Sequence, residues 1–562
     1  MNAIDWSIFI LILFIVITIK HFKLNKADNN SIYEKSTLHY GFKIIAVQSF
    51  IYTFISLPGQ AYSQGMTFLQ LYLGIPLAVF IVIFLIIPKY KKHNTKSAFE
   101  YIKAKSNKRV YYLTSIIYLI LRLLVLTITF YATAMILSIL LKIDFKILLL
   151  IISAIFIVLN ILFKNKTNLF PRRNQLLYAI IITTIIFLTI LYKLPEGMYL
   201  EDTLSFTASF DKLTVIDSDL ALKDKFDLLK CLVNGTILFV ALLSIDTKIL
   251  QIYRQSKYSD KTKDGLIING LFNVPFHFFI LLTGCVLFTF YQFNDAPLHY
   301  NPHNVHTVYQ SEYAEQYDQI KQEYQKILNL KKEASFLYSG QIYQNYSNQI
   351  LKDQILSLTE NANKLQLEAK KLIKKANHNV EVNDSDFILL HFINFHVPTG
   401  IAGVIMALFF ICLLSIGFHE INWLSKKTKK LLSQTKSSAL PHPDNKRYHD
   451  IITLIIIILA LIIVYNIPVF LNLIQILWAY SSLFSGTLLG ILLVTMYFKN
   501  NNKALFYTIL LTQITIITLY ITTPIHYLWY NTIGLATILI LVPISNLISK
   551  LFSNHNRSNI LS

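Results

Sequence analysis

The sequence predicts an all-α polytopic membrane protein, and three observations carry that prediction. Of its 562 residues, 54% are hydrophobic and 15% charged, where a soluble domain carries about 25% charged residues. Apolar runs of about 18 residues or more, long enough to cross a bilayer as helices, recur along the chain. Basic residues gather in alternate short loops, the positive-inside pattern. That distribution accounts for a net charge of +20 without any nucleic-acid partner.

About thirteen spans are expected, near 4–20, 41–63, 67–88, 110–141, 146–163, 175–193, 226–250, 264–292, 387–424, 449–466, 469–498, 503–522 and 527–550. The first run, Trp6 to Ile19, lacks the basic start and small-residue cleavage site of a signal peptide. Asp5 precedes it, and Lys20, Lys23 and Lys26 follow it, so it reads as a retained helix with its N-terminus outside. The loop 89–109 carries Lys89, Lys91, Lys92, Lys96, Lys103, Lys105, Lys108 and Arg109 against Glu100 alone. The loop 425–448 carries seven Lys or Arg residues, among them Lys426, Lys430 and Arg447. Loops 164–174 and 251–263 are also basic, whereas 194–224 is acidic, with Glu196, Glu201, Asp202, Asp211, Asp217 and Asp219. The expected protein is therefore a multi-pass plasma (inner) membrane protein with a cytoplasmic C-terminus.

Between spans 8 and 9 lies a polar stretch rich in Tyr, Gln and Lys. Tyr313, Tyr317, Ile320, Tyr324 and Ile327 recur at alternating spacings of four and three. Leu351, Ile355, Leu358, Ala362, Leu365, Ala369 and Leu372 continue the pattern. This predicts an extracytoplasmic helical hairpin packed as a short antiparallel coiled coil. It reads as a spacer or cap, or as an arm that docks a protein partner. The division of the chain follows: 1–40 an N-terminal helix before the core, 41–293 the first part of a transmembrane core, 294–386 the insert, 387–500 the rest of the core, and 501–562 C-terminal helices and tail. The three cysteines, Cys231, Cys285 and Cys412, lie in or beside spans, with no disulfide framework or zinc-type spacing.

Two spans carry polar features that hydrocarbon penalises. Pro58 and Gly59 are expected to interrupt span 2, a break tolerated only where backbone lines a site or cavity. Span 9 carries Ser415, His419, Glu420 and Asn422, and polar groups inside a span mark paths or sites. Arg122 in span 4 is expected to play a structural part, pairing with an acid or snorkelling; Glu420 is weighed as a proton carrier against a structural hydrogen-bonding group. His299, His303 and His306 have helical spacing, but Asn301 and Pro302 intervene, which argues against a metal site. No phosphate-binding loop, nucleophile elbow or paired metal motif is present, so no enzymatic activity is expected.

Four blocks, in order, resemble the sodium:solute symporter family, in its Bacteroidetes-type form. They are TFISLPGQAY in span 2; Pro88, Thr95, Phe99, Glu100 and Tyr101; Asp246, Gln251, Tyr253, Asn269, Gly270 and Pro275 within 244–275; and VPTGIAGVIMA at 397–407 with Ser415, Glu420 and Asn422. The resemblance implies a LeuT-like core of five plus five helices in inverted repeat, with spans 2–6 and 7–11 as the halves. It implies a small-molecule solute near the midplane between broken spans 2 and 7, moved by alternating access. It implies sodium at Ala46, Ser49, Cys412 and Ser415, although the fifth position, usually Ser or Thr, is Ile416. Pocket positions fall at Thr53, Leu242 and Trp478, the last two departing from the residues of sugar-carrying members. The expected function is a secondary active transporter with the lipid bilayer and a small organic solute as its partners. The alternatives are a proton-coupled or ion-uncoupled homologue, a uniporter, a substrate sensor, or a scaffold that binds a protein through the insert.

Overall fold

The computed structural model describes residues 2–23, 36–48, 51–95, 97–141, 143–163, 172–217, 226–256, 259–342, 349–378, 380, 382–435, 446–466, 472–498 and 501–558. Among these there is no strand. The helices in order are α1 (Ala3–Lys23), α2 (Thr37–Gln48), α3 (Ile51–Gln64), α4 (Leu69–Tyr72), α5 (Gly74–Ile81), α6 (Ile87–His93), α7 (Ala98–Lys105), α8 (Lys108–Leu141), α9 (Phe145–Leu162) and α10 (Arg172–Tyr192). They continue with α11 (Leu200–Ser209), α12 (Leu228–Ile245), α13 (Thr247–Gln255), α14 (Asp260–Phe293), α15 (Pro302–Tyr309), α16 (Ala314–Ile342) and α17 (Gln349–Ala376). The last are α18 (Phe387–His396), α19 (Ile401–Thr435), α20 (Lys446–Asn466), α21 (Leu473–Tyr497), α22 (Asn502–Thr522) and α23 (Trp529–Ser558). Among the described residues, 11 helical runs are long and apolar enough to cross a membrane, which makes this a multi-pass membrane protein. A chain in hydrocarbon must satisfy its backbone within the segment, and helices do so.

The count of runs falls below thirteen for two local reasons. Helix α1, Ala3–Lys23, is an apolar helix outside that count, and Tyr52–His93 forms one helical run. Within that run Gly65, at the start of a 3-10 turn, has a φ of +73°, which suits glycine. A Cβ there would lie 2.8 Å from the Lys212 carbonyl oxygen, to which Met66 N–H donates at 3.0 Å. Pro58 and Gly59 do not break span 2: both lie inside α3. They serve close packing instead. A Cβ on Gly284 of α14 would sit 2.2 Å from the Pro58 carbonyl oxygen, so the two backbones touch where the sequence suggested an interruption. Residues 49 and 50, between α2 and α3, lie outside the described residues.

Span 9 is divided. It breaks between α18 and α19 at Val397–Gly400, and Gly400 has a φ of +89°. Asp5, read from sequence as the flank of the first helix, is buried there. Its Oδ1 accepts from Gly400 N–H at 2.7 Å and Gly403 N–H at 3.3 Å, capping the start of α19 with a carboxylate at the positive end of the helix.

Described residues of the basic loops 89–109, 251–263 and 425–448 lie on one face. Lys43 donates to Gln255 at 3.2 Å, and Lys427 lies over the Phe99 and Tyr111 rings. We call this the basic face. The opposite, insert face joins Tyr62 to Tyr300 at 3.0 Å and His303 to Asp144 at 3.4 Å. There α16 and α17 pair, and Tyr317, Tyr324, Leu328, Ala362, Leu365, Ala369 and Leu372 form a core of their own. Asp384 ties the base of this hairpin, accepting from Tyr300 N–H at 2.8 Å and pairing with His299 at 3.0 Å and Lys370 at 2.8 Å. Burial opposes its charge, but His299 and Lys370 hold its carboxyl well below the usual range. Thus His299 and His303 each face an aspartate, and no metal-binding cluster occurs among the described residues.

Candidate functional site

Helices α2 and α14 bring buried amide side chains together. Asn273 Nδ2 donates to Gln48 Oε1 at 2.8 Å and to Asn269 Oδ1 at 3.2 Å. His277, one turn on, holds the Asn273 carbonyl at 2.8 Å through Nδ1 and stacks on Tyr72 at 3.8 Å between centroids. Asn269 and Asn273 are 0% exposed and Gln48 4%. The remaining polar atoms of this trio, Gln48 Nε2, Asn269 Nδ2 and Asn273 Oδ1, have no partner among the described residues. Each such group costs about 1–3 kcal/mol when buried, and native structures carry few of them without a functional reason. Asn269 was singled out by family resemblance; Gln48, Asn273 and His277 were missed. The available signal was the spacing of Asn269, Asn273 and His277, which places all three on one face of a helix.

Leu242 and Trp478 line one cavity of about 50 Å³, together with Arg122, Asp246 and Ser485. Its size admits a few waters. Thr53 is buried on α3 and does not line this cavity. Of the sodium positions, Ala46, Cys412, Ser415 and Ile416 are all buried, while Ser49 lies outside the described residues. The Ser415 hydroxyl accepts from Gln175 Nε2 of α10 at 3.1 Å. Helix α10 packs against both α2 and α19, so it brings a side-chain amide to the region that the sequence assigned to those two helices alone.

Two joints flank the amide cluster. Toward the basic face, Arg122 of α8 donates to Asp246 Oδ2 at 3.1 Å and, through Nε and Nη2, to Glu420 Oε2 of α19. Lys248 of α13 meets Glu420 Oε1 at 2.6 Å. Asp246 also caps α13, accepting from Lys248 N–H at 2.8 Å through Oδ1, which explains why α12 ends there. The expectation that Arg122 pairs with an acid is met by two acids, one of them Glu420. Toward the insert face, Gln60 Oε1 of α3 accepts from Asn472 Nδ2 and from Gln475 Nε2 at 3.1 Å. The Ser56 hydroxyl accepts from Ile474 N–H at 3.2 Å, and Asp386 Oδ2 accepts from Leu473 N–H at 2.8 Å. These contacts lock the start of α21 against α3 and the loop before α18.

No family profile matches the chain, and no characterised protein matches it in sequence. Its fold has solved counterparts. A Na+-coupled sialic acid symporter in a substrate-bound outward-open state aligns over 97% of this chain and 98% of its own, at a TM-score of 0.64 and 18% identity. A nucleobase-cation-symport-1 family transporter, in a closed conformation with bromovinylhydantoin bound, aligns over 92% of this chain and 93% of its own at 0.41 and 9%. A manganese transporter of Eremococcus coleocola aligns over 91% and 97% at 0.33 and 12%. The fold is that of the sialic acid symporter. It is an all-helical, LeuT-like membrane fold.

Proposed function

We propose that the chain is a secondary transporter that moves a small polar solute by alternating access. The observation that carries this reading is the trio of buried amides with unmet hydrogen-bonding groups, set along the chain between two closed joints. On the α2–α3 run Gln48 lies between Lys43, at the basic face, and Gln60, at the insert-face joint. A solute with hydroxyl or amide groups would complete the amide trio. Opening the insert-face joint would admit it, and opening the basic-face joint would release it. The positive-inside distribution puts the basic face in the cytoplasm and the insert outside, with transport across the plasma membrane.

Sodium is proposed as the coupled ion, held by the carbonyls of Ala46, Ser49 and Cys412 and the hydroxyl of Ser415; a hard cation needs several such oxygens. One contact favours a second reading, transport without sodium: Gln175 already donates to the Ser415 hydroxyl, and Ile416 adds no oxygen. Uptake into proteoliposomes with and without a sodium gradient decides between them, with sialic acid first among the solutes. Uptake driven by sodium supports coupling, and gradient-independent uptake that Ile416→Ser renders sodium-stimulated supports a lapsed site. Asn273→Ala should reduce uptake at least tenfold while the protein stays folded. Undiminished uptake by that variant would sink the amide site.

A further inference from the structure

Beneath the insert lies a cavity of about 370 Å³, within the range of ligand pockets. It is separate from the amide trio. Its polar walls are Lys146 at the start of α9, Asn301, His303 and Asn304 around α15, and Lys374 and Asn377 at the end of α17. One carboxylate, Asp144, shares the cavity, held in place by hydrogen bonds. Oδ1 accepts from Lys146 N–H at 2.8 Å and Ile147 N–H at 3.3 Å, and Oδ2 faces His303 Nε2 at 3.4 Å. The Lys146 ammonium lies over the Tyr465 ring at 4.5 Å, and that of Lys374 donates to the Val380 carbonyl at 3.1 Å. Neither lysine has a carboxylate partner among the described residues. The lining is thus rich in donors and amides and carries two lysines against one carboxylate.

The floor of this cavity points inward. Tyr131 and Val464 line it and also line a gap of about 20 Å³ beside Leu473 and Ile476 of α21. Along α8, Tyr131 and Ile128 line that gap, and Val125 and Arg122 line the small cavity at Trp478.

We propose that the cavity under the insert is a capture site for a small organic anion bearing hydroxyl or amide groups, positioned ahead of the amide trio. The two lysines receive the acid, and the asparagines receive its polar groups. The role of handing a solute inward rests on the transporter reading; the binding itself does not. The test uses the full chain in phosphatidylcholine nanodiscs, with calorimetric titration of lactate, gluconate and N-acetylneuraminate and with sorbitol as the neutral control. At least one acid should bind and sorbitol should not. Lys146→Gln combined with Lys374→Gln should weaken that binding at least tenfold. Absence of binding by all three acids overturns the proposal, as does binding that the lysine pair leaves unchanged. If no acid binds but phosphatidylglycerol in the nanodisc stabilises the protein through these lysines, the cavity holds a lipid headgroup and the proposal also falls. Acid binding here without uptake in proteoliposomes would sink the transporter reading and leave the site standing. Uptake without binding here would do the reverse.

Discussion

The two joints that close the molecule are built from different chemistry. The basic-face joint gathers Arg122, Lys248, Asp246 and Glu420, two cations and two anions, with Glu420 0% exposed and Asp246 4%. The insert-face joint is made of Gln60, Asn472, Gln475, Ser56 and backbone N–H groups, with one carboxylate, Asp386, that among the described residues has no cation and one oxygen without a partner. A buried charge cluster costs desolvation and repays it only when complete. An amide joint exchanges its bonds for water at about 1 kcal/mol each. The charged joint is therefore all-or-none, and the amide joint can open in steps. In a protein that alternates, this makes the insert face the easier to open.

The largest expected effect comes from breaking the charged joint. Glu420→Gln removes the acid shared by Arg122 and Lys248 and should cost about 3–5 kcal/mol, read as a drop in thermal stability. It should also open the basic face, so that a reporter cysteine at Asn273→Cys reacts faster with a maleimide applied from that side. Removing Arg122 and Glu420 together, as Arg122→Leu with Glu420→Leu, should recover more than half of the loss. Additive losses in that double variant would show that the cluster does not act as a unit.

Asp386 sharpens the contrast with pH. Burial pushes its carboxyl up to about 6, partly offset by the Ser56 and Leu473 hydrogen bonds. The folded state thus prefers the protonated form more than the unfolded chain does. The cost of charging it is complete above pH 6, shrinks as pH falls through that value, and is gone below about pH 4. Asp386→Asn keeps an acceptor for Leu473 and should stabilise the protein by about 1–3 kcal/mol at pH 7. The gain should fade by pH 5; an equal gain at both values would mean that charge is not the cause. The smallest effect is expected from Gln60→Ala, about 1 kcal/mol of stability, with labelling of the same reporter from the insert face rising several-fold. A rise as large as that of Glu420→Gln on the other side would erase the difference between the joints.

Much of this was legible in the chain. Span positions, the hairpin register and the sidedness of the basic loops follow from hydrophobic periodicity and charge, which are local properties of sequence. The heptad residues Tyr317, Tyr324, Ala362 and Leu365 do form the hairpin core, because burying one apolar stripe per helix leaves a pair of helices little choice of face. Pro58 and Gly59 were misread because sequence shows that a helix can break, not whether it runs on through them against a close neighbour such as Gly284. Asp5 looked like a flank because its partners, Gly400 and Gly403, lie nearly four hundred residues away.

What the sequence alone determined is an all-helical membrane chain with a polar hairpin on one face and basic loops on the other. Bilayer thickness and backbone hydrogen bonding dictate these regardless of partner. Tertiary structure decided which polar side chains meet. Arg122 finds Glu420 and Asp246, Gln48 finds Asn273, and Gln175 finds Ser415 only when helices far apart in sequence pack side by side. No periodicity within one helix encodes those meetings, because each depends on the rotation of a second helix about its own axis.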